Sequence, residues 1–250
     1  MTKIVTIITP LHNAEGFISN CIESVISQTY PHWEMIIVDD CSTDGGIEIV
    51  KKYQERDSRI KLLINETNSG PAVSRNKAIE AANGKYIAFL DSDDMWCSTK
   101  LEEQLDFMRQ NDYAFTFTAY DKINENGEIA GHIDAPHEVT YNDLLKTCSI
   151  GCLTVVYDTE KLGKVYMPII KRRQDFALWL KILKIIPKAY GLNKPLAKYR
   201  LMSNSVSSNK FKASRYQWKV YRDIENLNII SSIYYFTYYT IKGLVKTYFK

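Results

Sequence analysis

No G-x-G-x-x-G follows any strand-like run in this 250-residue chain, which removes the phosphate-binding turn of a nicotinamide-dependent dehydrogenase. The segment Thr9 to Gly16, after the first apolar run, is not Gly-rich either, and so lacks the phosphate loop of a sugar-1-phosphate nucleotidylyltransferase. The amino terminus, Met1-Thr2-Lys3-Ile4-Val5-Thr6-Ile7-Ile8, lacks the basic start, long apolar stretch and small-residue cleavage site of a signal peptide, and it reads as a first strand. Cysteine is scarce and odd in number: Cys21, Cys41, Cys97, Cys148 and Cys152 fit reduced thiols in a cytosolic protein better than a disulfide framework. Cys148 and Cys152 are four apart, with no histidine pair at zinc spacing near them. Nothing in the composition marks the chain as disordered.

Charge is also missing from one place. The net charge of +3 divides unevenly: from Asn209 onward eight Lys or Arg face two acidic residues, giving +6 and leaving −3 for the first 208 residues. A nucleic-acid partner would call for basic residues clustered on the folded body, so none is expected. Residues 226 to 241 carry no charge and several tyrosines, with Lys242, Lys246 and Lys250 beyond them. Sixteen such residues are too few and too polar for a transmembrane helix. They fit an aromatic, lysine-flanked interfacial helix on the inner-membrane surface, or a helix packed on the domain or in a homodimer.

What is present is an alternation of β and α patterns. Ile4 to Thr9, Met35 to Asp39, Ile60 to Ile64 and Tyr86 to Leu90 read as strands. Between them fall helices at Glu15 to Gln28, about Asp44 to Arg56 and about Gly70 to Ala82. This order predicts an α/β, Rossmann-like, mostly parallel central sheet flanked by helices, with ligands beyond the carboxyl ends of the strands. Gly84 follows the third helix, and Ser98 or Thr99 can cap one from Lys100 to Gln110. After residue 112 the pattern weakens. Tyr113 to Ile123, Leu153 to Tyr157 and Leu196 to Leu201 read as strands, Gln174 to Ile186 as a helix stopped by Pro187, and Ser203 to Asn209 as a loop. The expected organisation is a domain over 1–208, with halves 1–112 and 113–208, and a basic aromatic helical tail over 209–250.

Four strands run into polar or acidic segments: Thr9-Pro10-Leu11-His12-Asn13, Asp39-Asp40-Cys41-Ser42-Thr43-Asp44, Asn65-Glu66-Thr67-Asn68-Ser69-Gly70 and Asp91-Ser92-Asp93-Asp94. In a parallel sheet these ends share an edge, so one pocket should hold them. Three carboxylates in four residues are costly without a cation, and carboxylate oxygens suit Mg²⁺ or Mn²⁺ with positions left for water and substrate phosphates. The plainer reading is a solvated Asp-rich turn capping the next helix.

The segments TPLHNAEGFISNCIESVISQTYPHWEMIIVDDCSTD, NSGPAVSRNKAI and GKYIAFLDSDD resemble the nucleotide-sugar half of family 2 glycosyltransferases, of the GT-A fold, in order over roughly the first 110 residues. The resemblance implies transfer of a sugar, with inversion, from a nucleotide diphosphate, a UDP-sugar, to an acceptor hydroxyl, with Mn²⁺ or Mg²⁺ on the diphosphate. It implies a glycan or lipid-linked glycan acceptor in bacterial surface polysaccharide (capsule or O-antigen) assembly, and a cytoplasmic enzyme peripheral on the inner face of the membrane.

Position by position, the resemblance puts Thr9 and Pro10 beside the base, Asp40 on the uracil imide, Glu15 as the acidic residue after the first strand, and Arg75 near the nucleotide. Asp91 and Asp93, with Ser92 between them, become the pair handling ribose and metal. His12 stands where the family more often has tyrosine. Arg172-Arg173-Gln174-Asp175-Phe176 resembles the family's Glu-Asp segment, which makes Asp175 the catalytic base and replaces the usual glutamate with Gln174. Arg172 or Arg173 is expected to reach a phosphate, and Tyr199-Arg200 with the following loop resembles the segment that closes over the diphosphate. Taken singly, Asp39 and Asp40 could cap a helix, Arg75 could pair at the surface, and Asp175 could be a first-turn carboxylate favoured by the helix dipole. A different class of function, a non-catalytic GT-A module that binds nucleotide or scaffolds an assembly complex, would be favoured by loss of the metal or base carboxylates. Asp91, Asp93 and Asp175 are all present.

Overall fold

The computed structural model describes residues 4–202 and 210–248, with 210–212 and 244–248 described by backbone alone. The first half is β1 (Val5–Leu11), α1 (Ile18–Ile26), β2 (Trp33–Asp39), α2 (Gly46–Arg56), β3 (Ile60–Ile64), α3 (Pro71–Ala81) and β4 (Tyr86–Phe89). These strands are parallel in the order β3-β2-β1-β4, with Leu11 opposite Asp39 and Asp39 opposite Ile64. That register carries all four carboxyl ends to one rim.

Side chains alternate across a strand, and here both faces are covered. Ile7, Met35 and Ile37 pack with Ile18, Cys21, Ile22 and Val25 of α1 on one face. Ile8, Ile36 and Val38 pack with Ala72, Ala78 and Ile79 of α3 on the other. Burial on both faces explains why these strands read as unbroken apolar runs in the sequence.

The second half continues the sheet. It comprises β5 (Met95–Trp96), α4 (Lys100–Gln110), β6 (Phe115–Ile123), β7 (Ile129–Ile133), β8 (Glu138–Thr140), α5 (Tyr141–Lys146), β9 (Val156–Asp158), α6 (Thr159–Leu162), α7 (Gln174–Leu183) and β10 (Lys188–Arg200). Among the described residues ten strands form one sheet, in which β9 lies antiparallel between β4 and β6 while β6 and β10 are parallel.

Several boundaries differ from the sequence reading. Leu153 to Tyr157 divides into a 3₁₀ turn, Cys152–Thr154, and the short β9. The strand expected at Leu196 begins at Lys188, because β10 absorbs Pro195 through register shifts against β6, where a missing N–H is tolerated. The helix expected to reach Ile186 ends at Leu183, as the residue before Pro187 is biased away from helical geometry. Ser203 to Asn209 lies outside the described residues.

The tail consists of α8 (Lys210–Lys219), a π-helical turn at Val220–Ile224 and α9 (Ile229–Tyr248). One side of α9 packs on the domain: the Tyr235 hydroxyl donates to Asn142 Oδ1 (2.9 Å), and the Arg173 guanidinium donates to the Tyr239 hydroxyl. Glu225, just before α9, accepts from Lys184 (2.6 Å) and from the Tyr141 hydroxyl. The other side leaves Ile230, Ile233, Tyr234, Tyr238 and Ile241 exposed. Among the described residues no helix is long and apolar enough to cross a membrane.

Candidate active site

At the carboxyl rim the strand ends border a cleft of about 670 Å³, lined by Pro10, Asp40, Arg75, Asp91, Ser92, Asp93 and Asp175, among others. Seven of the nine site residues expected from the sequence therefore meet in one place. Thr9 and Glu15 do not reach this wall. Thr9 is fully buried within β1, and among the described residues its hydroxyl has no hydrogen-bond partner. Glu15 is directed to the start of α2, where its carboxylate accepts from the Gly45 amide (3.0 Å), while its own amide donates to Asp44 (2.8 Å). That latch fixes the β1–α1 loop against α2.

Asp40 ties β2 to the loop before α3. Its Oδ1 accepts from the Asn65 side-chain amide (2.9 Å) and the Ser69 N–H (2.8 Å), and its Oδ2 accepts from the Gly70 N–H (2.7 Å). Gly70 has φ +85°, a conformation that favours glycine. Burial alone would raise the Asp40 pKa, but these donors hold it below the usual carboxylate value. A carboxylate offers about four lone-pair directions, so one on Oδ2 is left for a ligand.

Arg75, on the cleft side of α3, donates to Asp91 Oδ1 at 2.5 Å. Burial opposes the guanidinium charge, yet Asp91 more than compensates and raises its pKa. Two residues on, burial and then the Asp91 charge push Asp93 up to about 6. Asp94 is raised as well, first by burial and then by Asp93 and Asp91, and it accepts from the Arg200 N–H (2.9 Å). Crowded carboxylates that resist ionisation suit a cation, whose charge would reverse the penalty. Among the described residues no three acidic, histidine or cysteine side chains form a complete metal cage. The hard oxygens of Asp93 and Asp91 fit Mg²⁺ or Mn²⁺ only if other ligands complete the shell.

Arg200 also lines the cleft. Its guanidinium donates to the backbone carbonyls of Asp93 (2.9 Å), Asn124 (3.1 Å) and Glu125 (2.8 Å). It therefore staples the DSDD loop to the β6–β7 turn, and Tyr199 joins the cleft wall beside it.

Asp175 sits in the first turn of α7, after the buried Gln174. Among the described residues no protein donor engages its carboxylate in a hydrogen bond or ion pair. Arg173, just before the helix, takes a left-handed conformation (φ +66°), uncommon for a non-glycine residue. Lys171, Arg172 and Arg173 all line the cleft. Lys171, which is exposed at the edge of the cleft, was not singled out in the sequence because no local pattern marks it.

A second cavity, also about 670 Å³, adjoins the first, and Asp91, Cys152, Arg173, Asp175 and Tyr199 line both. Its far side is formed by Tyr120, His132, Asp134, the 147–151 segment and Lys242 of α9. Asp175 thus stands where the two spaces meet.

A mostly parallel α/β sheet with a carboxylate-rimmed nucleotide-sized cleft is the arrangement of a GT-A glycosyltransferase. The TarS fragment 1–349 of S. aureus, solved with UDP-GlcNAc, superposes with a TM-score of 0.72 at 25% identity, covering 89% of this chain and 67% of that one. A Pyrobaculum calidifontis mannosyltransferase shares the fold with a TM-score of 0.70 at 16% identity, over 91% of this chain and 66% of that one. The glycosyl transferase family 2 profile matches residues 6–177. TuaG of Bacillus subtilis, named for teichuronic acid biosynthesis, is 50% identical over 97% of this chain and 96% of its own. WfgD of Escherichia coli is named as a UDP-Glc:α-D-GlcNAc-diphosphoundecaprenol β-1,3-glucosyltransferase. It is 45% identical over 97% of this chain and 94% of its own. The chain belongs to glycosyl transferase family 2 and is a sugar-transferring enzyme.

Proposed function

We propose that the protein transfers a sugar from UDP to a hydroxyl of a lipid-linked glycan during assembly of a bacterial surface polysaccharide, with inversion at the anomeric carbon. The observation that carries this reading is the place of Asp175, with the nucleotide-side carboxylates on one hand and a second, ligand-sized space on the other. The printed activity of WfgD and the UDP-GlcNAc bound to TarS support UDP as the nucleotide and a diphosphate-linked glycan as the acceptor class. Retention of Asp91, Asp93 and Asp175 argues against a non-catalytic module.

Asp40 accepts the uracil imide N–H with its remaining lone pair, and Pro10 and His12 border the base. Arg75 fixes Asp91 in direction. Asp93, with Asp91, would hold Mn²⁺ or Mg²⁺, with the donor diphosphate and water as the remaining ligands. A divalent cation there supplies Lewis-acid neutralisation of the departing UDP. Lys171 and Arg172 add positive charge to the cleft lining. Asp175 removes the proton from the acceptor hydroxyl as it attacks, and attack from the second cavity, across the ring from the leaving group, inverts the configuration. The exposed apolar side of α9 rests on the inner leaflet, which places the enzyme at the cytoplasmic membrane surface where such acceptors are anchored.

Incubation with Mn²⁺ or Mg²⁺ and a panel of nucleotide sugars tests the reading. Release of UDP from one UDP-sugar, accelerated by a glycosyl-diphosphate lipid, is the expected result. Exclusive use of a GDP- or dTDP-sugar, or metal-independent turnover, would overturn the corresponding part.

A further inference from the structure

The tail helix does more than lie against the domain: it closes the cavity on the far side of Asp175. Lys242 of α9 lines that cavity together with Arg173. Arg173 is itself held by α9, through the hydrogen bond to the Tyr239 hydroxyl and with its guanidinium 5.3 Å from the centre of that ring. Both cations that line this cavity are therefore supplied or fixed by one helix.

The rest of the lining has a different chemistry. Tyr120 and Tyr199 meet edge to face, with ring centroids 6.2 Å apart, and present aromatic surface beside Asp175. His132 is flanked by Asp121 at 2.8 Å and Asp134 at 3.4 Å, which gives polar groups suited to sugar hydroxyls. Aromatic faces with acidic and imidazole partners suit a sugar ring, and two cations suit a phosphate. Along the same helix, Ile230, Ile233, Tyr234, Tyr238 and Ile241 leave apolar surface exposed. Sugar-binding, anion-binding and apolar features thus occur together on the cavity and the helix that closes it.

We infer that α9 forms part of the acceptor site, with Lys242 and Arg173 binding the diphosphate of a lipid-linked sugar whose ring lies against Tyr120 and Tyr199 beside Asp175. The inference rests on the glycosyltransferase reading above and adds the group that recognises the acceptor's anionic linkage. Lys242 confers the choice between a diphosphate-linked and a neutral acceptor, and Tyr239 acts as a positioning residue through Arg173. Phospholipid headgroups carry phosphate too, so the test must separate them from the acceptor.

The full-length protein, with UDP and Mn²⁺ present, is titrated with phenoxyundecyl α-N-acetylglucosaminyl diphosphate and with the same glycolipid in which a neutral ether replaces the diphosphate. The wild type is expected to bind the diphosphate compound at least about tenfold more tightly, the size of effect that one well-placed charge pair gives. Lys242→Ala should bring that ratio close to one with UDP affinity unchanged, Lys242→Arg should keep most of it, and Tyr239→Phe should reduce it in part. A wild-type ratio near one, or a Lys242→Ala protein with the wild-type ratio, overturns the inference. If Lys242→Ala keeps the ratio and instead loses binding to acceptor-free anionic vesicles, the lysine serves phospholipid headgroups and the inference also falls. Failure to bind UDP in the same titrations would count against the donor assignment alone, because the glycolipid ratio is read separately.

Discussion

Arg75 and Asp91 form a 2.5 Å ion pair across the floor of the cleft, joining α3 to the loop after β4. The Arg75 side chain is 8% exposed and that of Asp91 31%, so the cation is taken out of water while the anion still faces the donor space. One carboxylate oxygen is held, and the group is directed at the ligand.

Replacing Arg75 with Met leaves Asp91 without its buried partner. Removing one member of a buried pair costs about 3–5 kcal/mol, and the partial exposure of Asp91 reduces this to about 2 kcal/mol. Urea denaturation should register that loss. UDP titration should show weakened nucleotide binding even at temperatures where the variant is fully folded.

Asp93 carries a pH dependence. Its pKa is raised to about 6, so between about pH 4 and 6 the folded protein holds a proton that the unfolded chain has released. In the ligand-free protein the contribution of this group to stability is therefore present at low pH and lost as pH rises through 6. Metal binding must displace that proton, so apparent Mn²⁺ affinity should fall about tenfold per pH unit below 6. Calorimetric titration of Mn²⁺ with UDP at pH 5 and pH 7 measures it, and Asp93→Asn should flatten the difference.

Asp175→Asn retains shape and removes the base. Transfer should fall about 10²- to 10⁴-fold while UDP affinity stays within twofold, since the carboxylate sits at the junction and not beside the base pocket. Transfer at the original rate would show that the proton goes elsewhere.

Asp40→Asn places an amide among three donors and should cost about 1–3 kcal/mol at pH 7. Because the folded pKa of Asp40 is lowered, its stabilising contribution is present above the unfolded value near 4 and is lost as pH falls toward the folded one. The gap between variant and wild type in urea should therefore narrow in acid.

Deleting the tail would remove Tyr239 and the packing of α9, so a loss of membrane binding after deletion would confound attachment with folding. Ile233→Glu with Ile241→Glu changes only exposed positions of α9. Sedimentation with anionic vesicles should fall severalfold with thermal stability unchanged; equal sedimentation would place the membrane contact elsewhere.

The first half of the fold was legible because β1, β2 and β4 are buried on both faces and its helices are punctuated by polar turns. Ile7 and Ile8 read as one apolar run, and only the tertiary structure assigns them to opposite cores. The second half was harder. β10 hides a 13-residue strand behind Asn193 and Pro195, because pairing with β6 on one side outweighs local propensity. Arg200 lines the cleft as its segment suggested, but that three backbone carbonyls take its guanidinium is a demand that no local pattern reveals.

The sequence by itself determined the alternation that makes a parallel sheet and the acidic residues at the ends of its strands. Periodicity and turn chemistry are local properties, and four apolar runs followed by polar segments fix which residues meet at the rim. Only the tertiary structure decided that Arg75 neutralises Asp91, that Glu15 turns to α2, and that Asp175 stands between two cavities with α9 closing the second. Those outcomes depend on contacts between residues far apart in the chain, where burial and charge pairing select one arrangement among several that the local sequence permits.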